Sequence, residues 1–160
     1  MSKELVLHIS PEWEEIEKVR LSSHHFLRSL GFSSETADAI SMTACELTEN
    51  AVKYGDFSTR REITVTLKTG GKLSLEVRSP IGADAPRQLR NLEESILWIR
   101  GYQNPMEAYV EKLKTVTAQP LEETEASGLG LTRTAYEGQS WLDFYVDEGR
   151  FLCVSAVYQR

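Results

Sequence analysis

Cysteine is scarce in this chain: Cys45 and Cys153 are the only two in 160 residues. They lie far apart and show no metal-ligand spacing, so both are expected as reduced, mostly buried thiols. Basic charge is short as well. Eighteen Lys and Arg face 24 Asp and Glu, giving a net charge of -6 and a pI near 5.2. That balance speaks against nucleic acid or an anionic membrane as the main partner. No apolar run is long enough to span a bilayer. The opening MSKELVLHIS lacks a basic segment followed by a long apolar core, so no secretory leader is expected and the cytoplasm is the expected compartment. Repeats and low-complexity tracts are missing. There is no Gly-x-Ser-x-Gly, and so no serine-hydrolase turn around Ser22 or Ser23.

What is present suits one soluble domain with a real core, with 41% hydrophobic and 26% charged residues. Leu5, Leu7 and Ile9 alternate and predict a strand. Ser10-Pro11 stands where a helix would begin, and Trp13, Ile16, Arg20, Ser23, Phe26, Leu27 and Leu30 follow helical spacing up to Gly31. A second helix is predicted from about Ser34 to Tyr54, with Ala37, Ile40, Ala44, Leu47, Ala51 and Tyr54 inward. Ile63, Val65 and Leu67, then Leu73, Leu75 and Val77, alternate on either side of Gly70-Gly71 and predict a hairpin. Leu89, Leu92, Ile96 and Ile99 predict a third helix closed by Gly101. Asn104-Pro105-Met106-Glu107 has the form of a capping box before a fourth. A short helix after Ser127-Gly128-Leu129-Gly130-Leu131 precedes a last hairpin around Glu148-Gly149. Hairpins imply antiparallel pairs and the long helices cover one face. The expected fold class is therefore α+β, a two-layer sandwich.

The stretch Ala44 to Gly55, ACELTENAVKYG, sets polar groups into a core helix. With the buried stripe centred on Ile40, Ala44, Leu47 and Ala51, Glu49 points away and is expected in solvent. Glu46, Asn50 and Lys53 share one edge, with Thr43 beside them. A carboxylate or amide at such an edge is partly desolvated and needs a partner. They are either ordinary boundary residues or the wall of a site. The Gly128 and Gly130 loop has a similar choice. It is either a tight turn beneath a helix, or a place where backbone N–H groups and a helix start favour phosphate. It lacks the third glycine and the leading strand of a dinucleotide fingerprint. His24-His25 are expected as one partly buried and one surface histidine. Adjacent helix residues point apart, which disfavours a metal pair. Trp98, Tyr102, Met106 and Tyr109 fit core packing first and a docking surface second. Asp143, Asp147 and Glu148 are expected as solvated edge charges.

Together, Glu46-Leu47-Thr48-Glu49-Asn50-Ala51-Val52-Lys53-Tyr54 resembles the Glu-x-x-x-Asn-Ala N box of the GHKL (histidine-kinase-like, Bergerat-fold) ATPases, and Gly128-Leu129-Gly130-Leu131 resembles their second glycine box. The chain is most similar to the short anti-sigma-factor serine kinases and related bacterial switch proteins, over most of its length. The resemblance implies a helix layer on a mixed, mostly antiparallel sheet, with ATP and Mg²⁺ held between the helices and a lid from about 83 to 126. It implies Asn50 as the Mg²⁺ ligand, Glu46 as general base and Lys53 as a phosphate contact. It places the backbone at Gly128, Leu129, Gly130 and Leu131 around the phosphates. The implied activity is transfer of phosphate from ATP-Mg²⁺ to Ser or Thr of a small partner protein, of the anti-sigma-antagonist or sigma-factor type. A homodimer is a reasonable accompaniment.

One part of the pattern is different. The first glycine box, Asp-x-Gly-x-Gly, should follow the strand at Leu73 to Val77, where the chain reads Val77-Arg78-Ser79-Pro80-Ile81-Gly82-Ala83-Asp84. Ser79 stands in place of the aspartate that accepts from the adenine amino group and would accept a weaker bond there, with Gly82 the one glycine nearby on the nucleotide side, and Asp84 is out of register. Losing a charged hydrogen bond to the base costs about 1.5–3 kcal/mol, roughly ten- to a hundred-fold in affinity. The alternative is therefore a degenerate member of the fold that only binds proteins, with weak or no ATP binding.

Overall fold

Alternating residues of the first strand, β1 (Glu4–Ile9), set Leu5, Leu7 and Ile9 toward the helices and leave Glu4, Val6 and His8 on the outer face. The computed structural model describes residues 2–102, 104–117 and 129–159. Helix α1 (Glu14–Ser29) ends as its glycine predicts: Gly31 takes φ +89°, its N–H donates to the Arg28 carbonyl, and the Phe32 N–H donates back to Leu27. Helix α2 (Ser34–Tyr54) begins on a true cap, the Ser33 hydroxyl accepting from the Thr36 N–H at 3.1 Å.

Strands β2 (Ile63–Lys68) and β3 (Ser74–Pro80) form the predicted hairpin. Helices α3 (Ala85–Arg100), α4 (Pro105–Thr117) and α5 (Leu129–Tyr136) follow, then β4 (Ser140–Asp147) and β5 (Phe151–Tyr158). The Asn104 side chain caps α4 by accepting from the Met106 N–H at 2.9 Å. Glu148 and Gly149 both take positive φ, 55° and 66°, the geometry a two-residue hairpin turn needs.

The sheet order is β1-β2-β3-β5-β4, and each neighbouring pair is antiparallel. The mixed sheet implied by the resemblance is thus corrected. After β3 the chain passes through the helices and lays β4 at the far edge. The tight turn at Glu148-Gly149 then folds β5 back between β4 and β3, antiparallel to both. The helices pack on one face. Val65, Leu67, Leu75, Val77, Leu142 and Ala156 of the sheet meet Val19, Leu27, Ile40, Ala44, Leu47, Ile96 and Ile99 of the helices. Among the described residues no helix is long and apolar enough to cross a membrane.

Three expected core positions fail. Trp13 is 59% exposed, Leu30 38% and Tyr54 40%. Each stands at a helix end, where the chain turns off the sheet and the core no longer reaches. Along α4, Ala108 is buried, while Val110 and Met106, the latter expected in core packing, are exposed. Asp147 is not a free edge charge either, since Arg78 pairs with it. Both cysteines are unpaired, and burial pushes the Cys45 thiol up to about 11. His24 is partly buried and bonded to Asp38 at 2.9 Å, while His25 is exposed, as the sequence suggests.

Candidate functional site

Helix α2 is covered on three sides. Its base rests on the sheet, and Ala37, Ile40, Ala44, Leu47 and Ala51 fill that contact. One flank meets α1, where the Cys45 thiol lies 3.9 Å from the Ile16 carbonyl. Glu49, one turn on from Cys45, shares that flank and is half-buried, not solvated as expected. On the other flank lies α5. Thr43 on that flank is fully buried, as is Thr48 on the side nearer Cys45, and both spend their hydroxyls on carbonyls one turn back, Ala39 at 2.9 Å and Ala44 at 2.6 Å.

The edge facing α5 carries Glu46, with its side chain 18% exposed, and the half-buried Asn50; Lys53 continues the row into solvent. The Asn50 amide makes no hydrogen bond among the described residues. The Lys53 ammonium stands 5.3 Å from the centre of the Tyr54 ring. Arg133 of α5 donates to the Glu46 carboxylate at 3.2 Å and to Glu137, four residues on and just past the end of α5, at 2.7 Å. Burial holds the Glu46 carboxyl above the usual carboxylate range, with Glu49 adding to the rise and Arg133 opposing it.

The α5 segment is therefore brought against the acid of α2. Leu129, Gly130 and Leu131 form its first turn, and Leu131 is buried in the core. Gly128 and the loop before it lie outside the described residues, as does the end of the expected lid from 118 to 126. Two features fix the approach of α5. Tyr109 of α4 lies against Tyr136 with ring centres 5.4 Å apart. Gly138, just past the helix, lies so close that a Cβ would run into the Thr43 hydroxyl and the Thr134 carbonyl. Gly138→Ala is expected to cost about 1–3 kcal/mol, because backbone must move to admit the methyl. Urea unfolding checks this, and an unchanged midpoint would show the approach to be looser.

Ser79 is 4% exposed near the end of β3, on the side that faces the helices. Gly82 follows in the turn, and a Cβ there would collide with the carboxylate of Asp56. The Asp56 N–H also donates to the Pro80 carbonyl at 3.0 Å, tying the loop after α2 to the end of β3. Asp56 accepts from the Ser58 N–H and hydroxyl, which holds its carboxyl below the usual range. Asp84 is exposed just ahead of α3, away from the aspartate position of the box.

Sequence reasoning missed Arg133 and Asp56. The i, i+4 pair Arg133–Glu137 was readable, but its reach to Glu46 across 87 residues was not. Nothing in the order of residues pointed Asp56 at Gly82. On the far face of the sheet, Arg60, Glu62, Thr64, Arg78, Glu148 and Phe151 line a polar hollow of about 230 Å³, separated from Glu46 by the whole sheet. Among the described residues, no three His, Cys, Asp or Glu side chains gather to hold a metal by themselves.

No family model matches the chain, and no curated protein does. Among solved structures it is similar to a chain in the SiaB–SiaC complex from Pseudomonas aeruginosa, with a TM-score of 0.65 and 19% identity. The match covers 96% of this chain and 88% of that one. Likeness at that identity shows a shared fold, here the α+β arrangement of helices on a five-stranded sheet.

Proposed function

We propose that the chain is a GHKL-fold regulatory kinase that binds ATP with Mg²⁺ and phosphorylates a serine or threonine of a small partner protein. The observation that carries this is the contact between α2 and α5. It ties the half-buried acid Glu46, with the amide Asn50 one turn on along the same edge of α2, to the helix that begins at the glycine pair, with Gly130 in its first turn. The donor set suits a magnesium nucleotide. Asn50 offers a neutral amide oxygen, and such an ion takes few protein ligands and completes its shell with water and phosphate oxygens. When bound, the ion would neutralise phosphate charge. Asn50 would hold it, Lys53 would approach the phosphates, and the first turn of α5 would point N–H groups at them. Glu46 would accept the proton of the attacking hydroxyl, a task helped by burial that raises its basicity. The similar chain comes from a complex of two proteins, which supports a protein as the partner. Cytoplasmic placement and a homodimer belong to the same proposal.

The second reading, a binding module without useful nucleotide affinity, is favoured by Ser79 in place of the adenine-binding acid. Calorimetry with ATP and Mg²⁺ separates the two. Binding, followed by phosphate on the partner in mass spectra, is the result expected of a kinase. No heat at millimolar nucleotide, with the partner bound equally well with and without ATP, would leave only the binding module.

A further inference from the structure

Arg133 makes two commitments at once. Its Nη1 donates to Glu46 on α2 and its Nε to Glu137 in the turn just past the end of α5, so one guanidinium serves two carboxylates. Glu46, Arg133 and Glu137 together carry one excess negative charge. Glu49 adds another from the α1 flank, and Tyr109 of α4 also faces the arginine. Two of the five guanidinium donors are used here, and the side chain is 45% exposed, so it has both spare donors and room to swing. Position adds the rest. Arg133 stands one turn into α5, on the helix whose start would face phosphate, and its partner is the residue proposed as the base. While the pair lasts, the Glu46 carboxylate is held by a cation and is less able to take a proton. A phosphate group, with more charge than one carboxylate and matched to the guanidinium fork, would compete for it.

We propose that Arg133 is shared between Glu46 and the terminal phosphate of bound ATP, so that arrival of that phosphate withdraws the arginine and frees Glu46 to act as base. This rests on the nucleotide reading above and adds to it the residue that senses the third phosphate. Withdrawal does two things in one motion. It brings positive charge to the group being transferred, and it returns basicity to the acid beside the incoming hydroxyl.

The test is a cycle of Arg133→Gln, Glu46→Gln and the double variant, each titrated with ADP and with the imido analogue of ATP in Mg²⁺. Arg133→Gln is expected to weaken the triphosphate by roughly ten- to a hundred-fold and ADP much less. Glu46→Gln is expected to tighten the triphosphate, and to do so far less when Arg133 is already Gln. Arg133→Lys keeps the charge, and circular dichroism checks that each variant is folded. Should Gln unfold the chain, Lys is titrated in its place and is expected to lose part of the triphosphate preference. If the wild-type chain binds neither nucleotide, the kinase reading fails and this proposal with it. If it binds both, and Arg133→Gln (or Lys in its place) weakens them equally or leaves them unchanged, the sharing of Arg133 is wrong while the kinase reading stands.

Discussion

Glu46→Gln is expected to slow phosphate transfer to the partner by about 10²–10⁴-fold while ATP stays bound, the range a positioned general base contributes. Glutamine has the same shape, so the flank between α2 and α5 keeps its packing. Its amide oxygen still offers Arg133 an acceptor. What is lost is the negative charge and the ability to take a proton. The pH dependence follows from the same surroundings. Burial, reinforced by Glu49, raises the Glu46 carboxyl. A carboxylate in the proposed role works only when deprotonated, so transfer should fall as pH drops through a value above the ordinary glutamate range. Single-turnover transfer from labelled ATP, beside calorimetry on the same variant, checks both parts. Transfer at the wild-type rate from Glu46→Gln would remove the carboxylate from the chemistry.

Period and punctuation carried much of the fold. In α2, apolar spacing and a flanking glycine were enough to define both ends, because the helix lies against a sheet and its stripe must face that sheet. The hairpin at Gly70-Gly71 and the turn at Glu148-Gly149 were equally plain, since Gly70 and Gly149 take the positive φ that glycine allows. Strand direction was less so. The direction of β5 beside β3 depends on where the helical segment delivers β4, and that is a three-dimensional outcome. For the site, the row Glu46, Asn50 and Lys53 could be placed on one edge from helical geometry alone. Its partner could not, because the Arg133 contact joins residues 87 apart. The half-burial of Glu49 was hidden for the same reason: one helix cannot reveal that α1 will lie along its other flank.

Leu47→Ala is expected to destabilise the chain by about 2–5 kcal/mol. Leu47 is 2% exposed and sits directly after Glu46, on the side of α2 that meets the sheet. Truncation removes buried apolar surface and leaves a cavity, and the sheet and helix are each held by too many other contacts to close over it. For a domain of this size each kcal/mol moves the melting temperature by roughly 2–4 °C. Trp13→Ala makes the contrast: a larger side chain, but 59% exposed, with an expected change within about 0.5 kcal/mol. Those same surrounding contacts bear on function. Ala44, Ala51, Thr43 and Thr48 still fix α2 when Leu47 is shortened. Below the transition, Glu46 and Asn50 should therefore keep their spacing, and nucleotide affinity should change far less than stability. Thermal melts and calorimetry on the Leu47→Ala protein check the two together. A melting point near wild type would show that the helix layer does not rest on this side chain. Affinity lost in step with stability would show that α2 is less rigidly seated than its burial indicates.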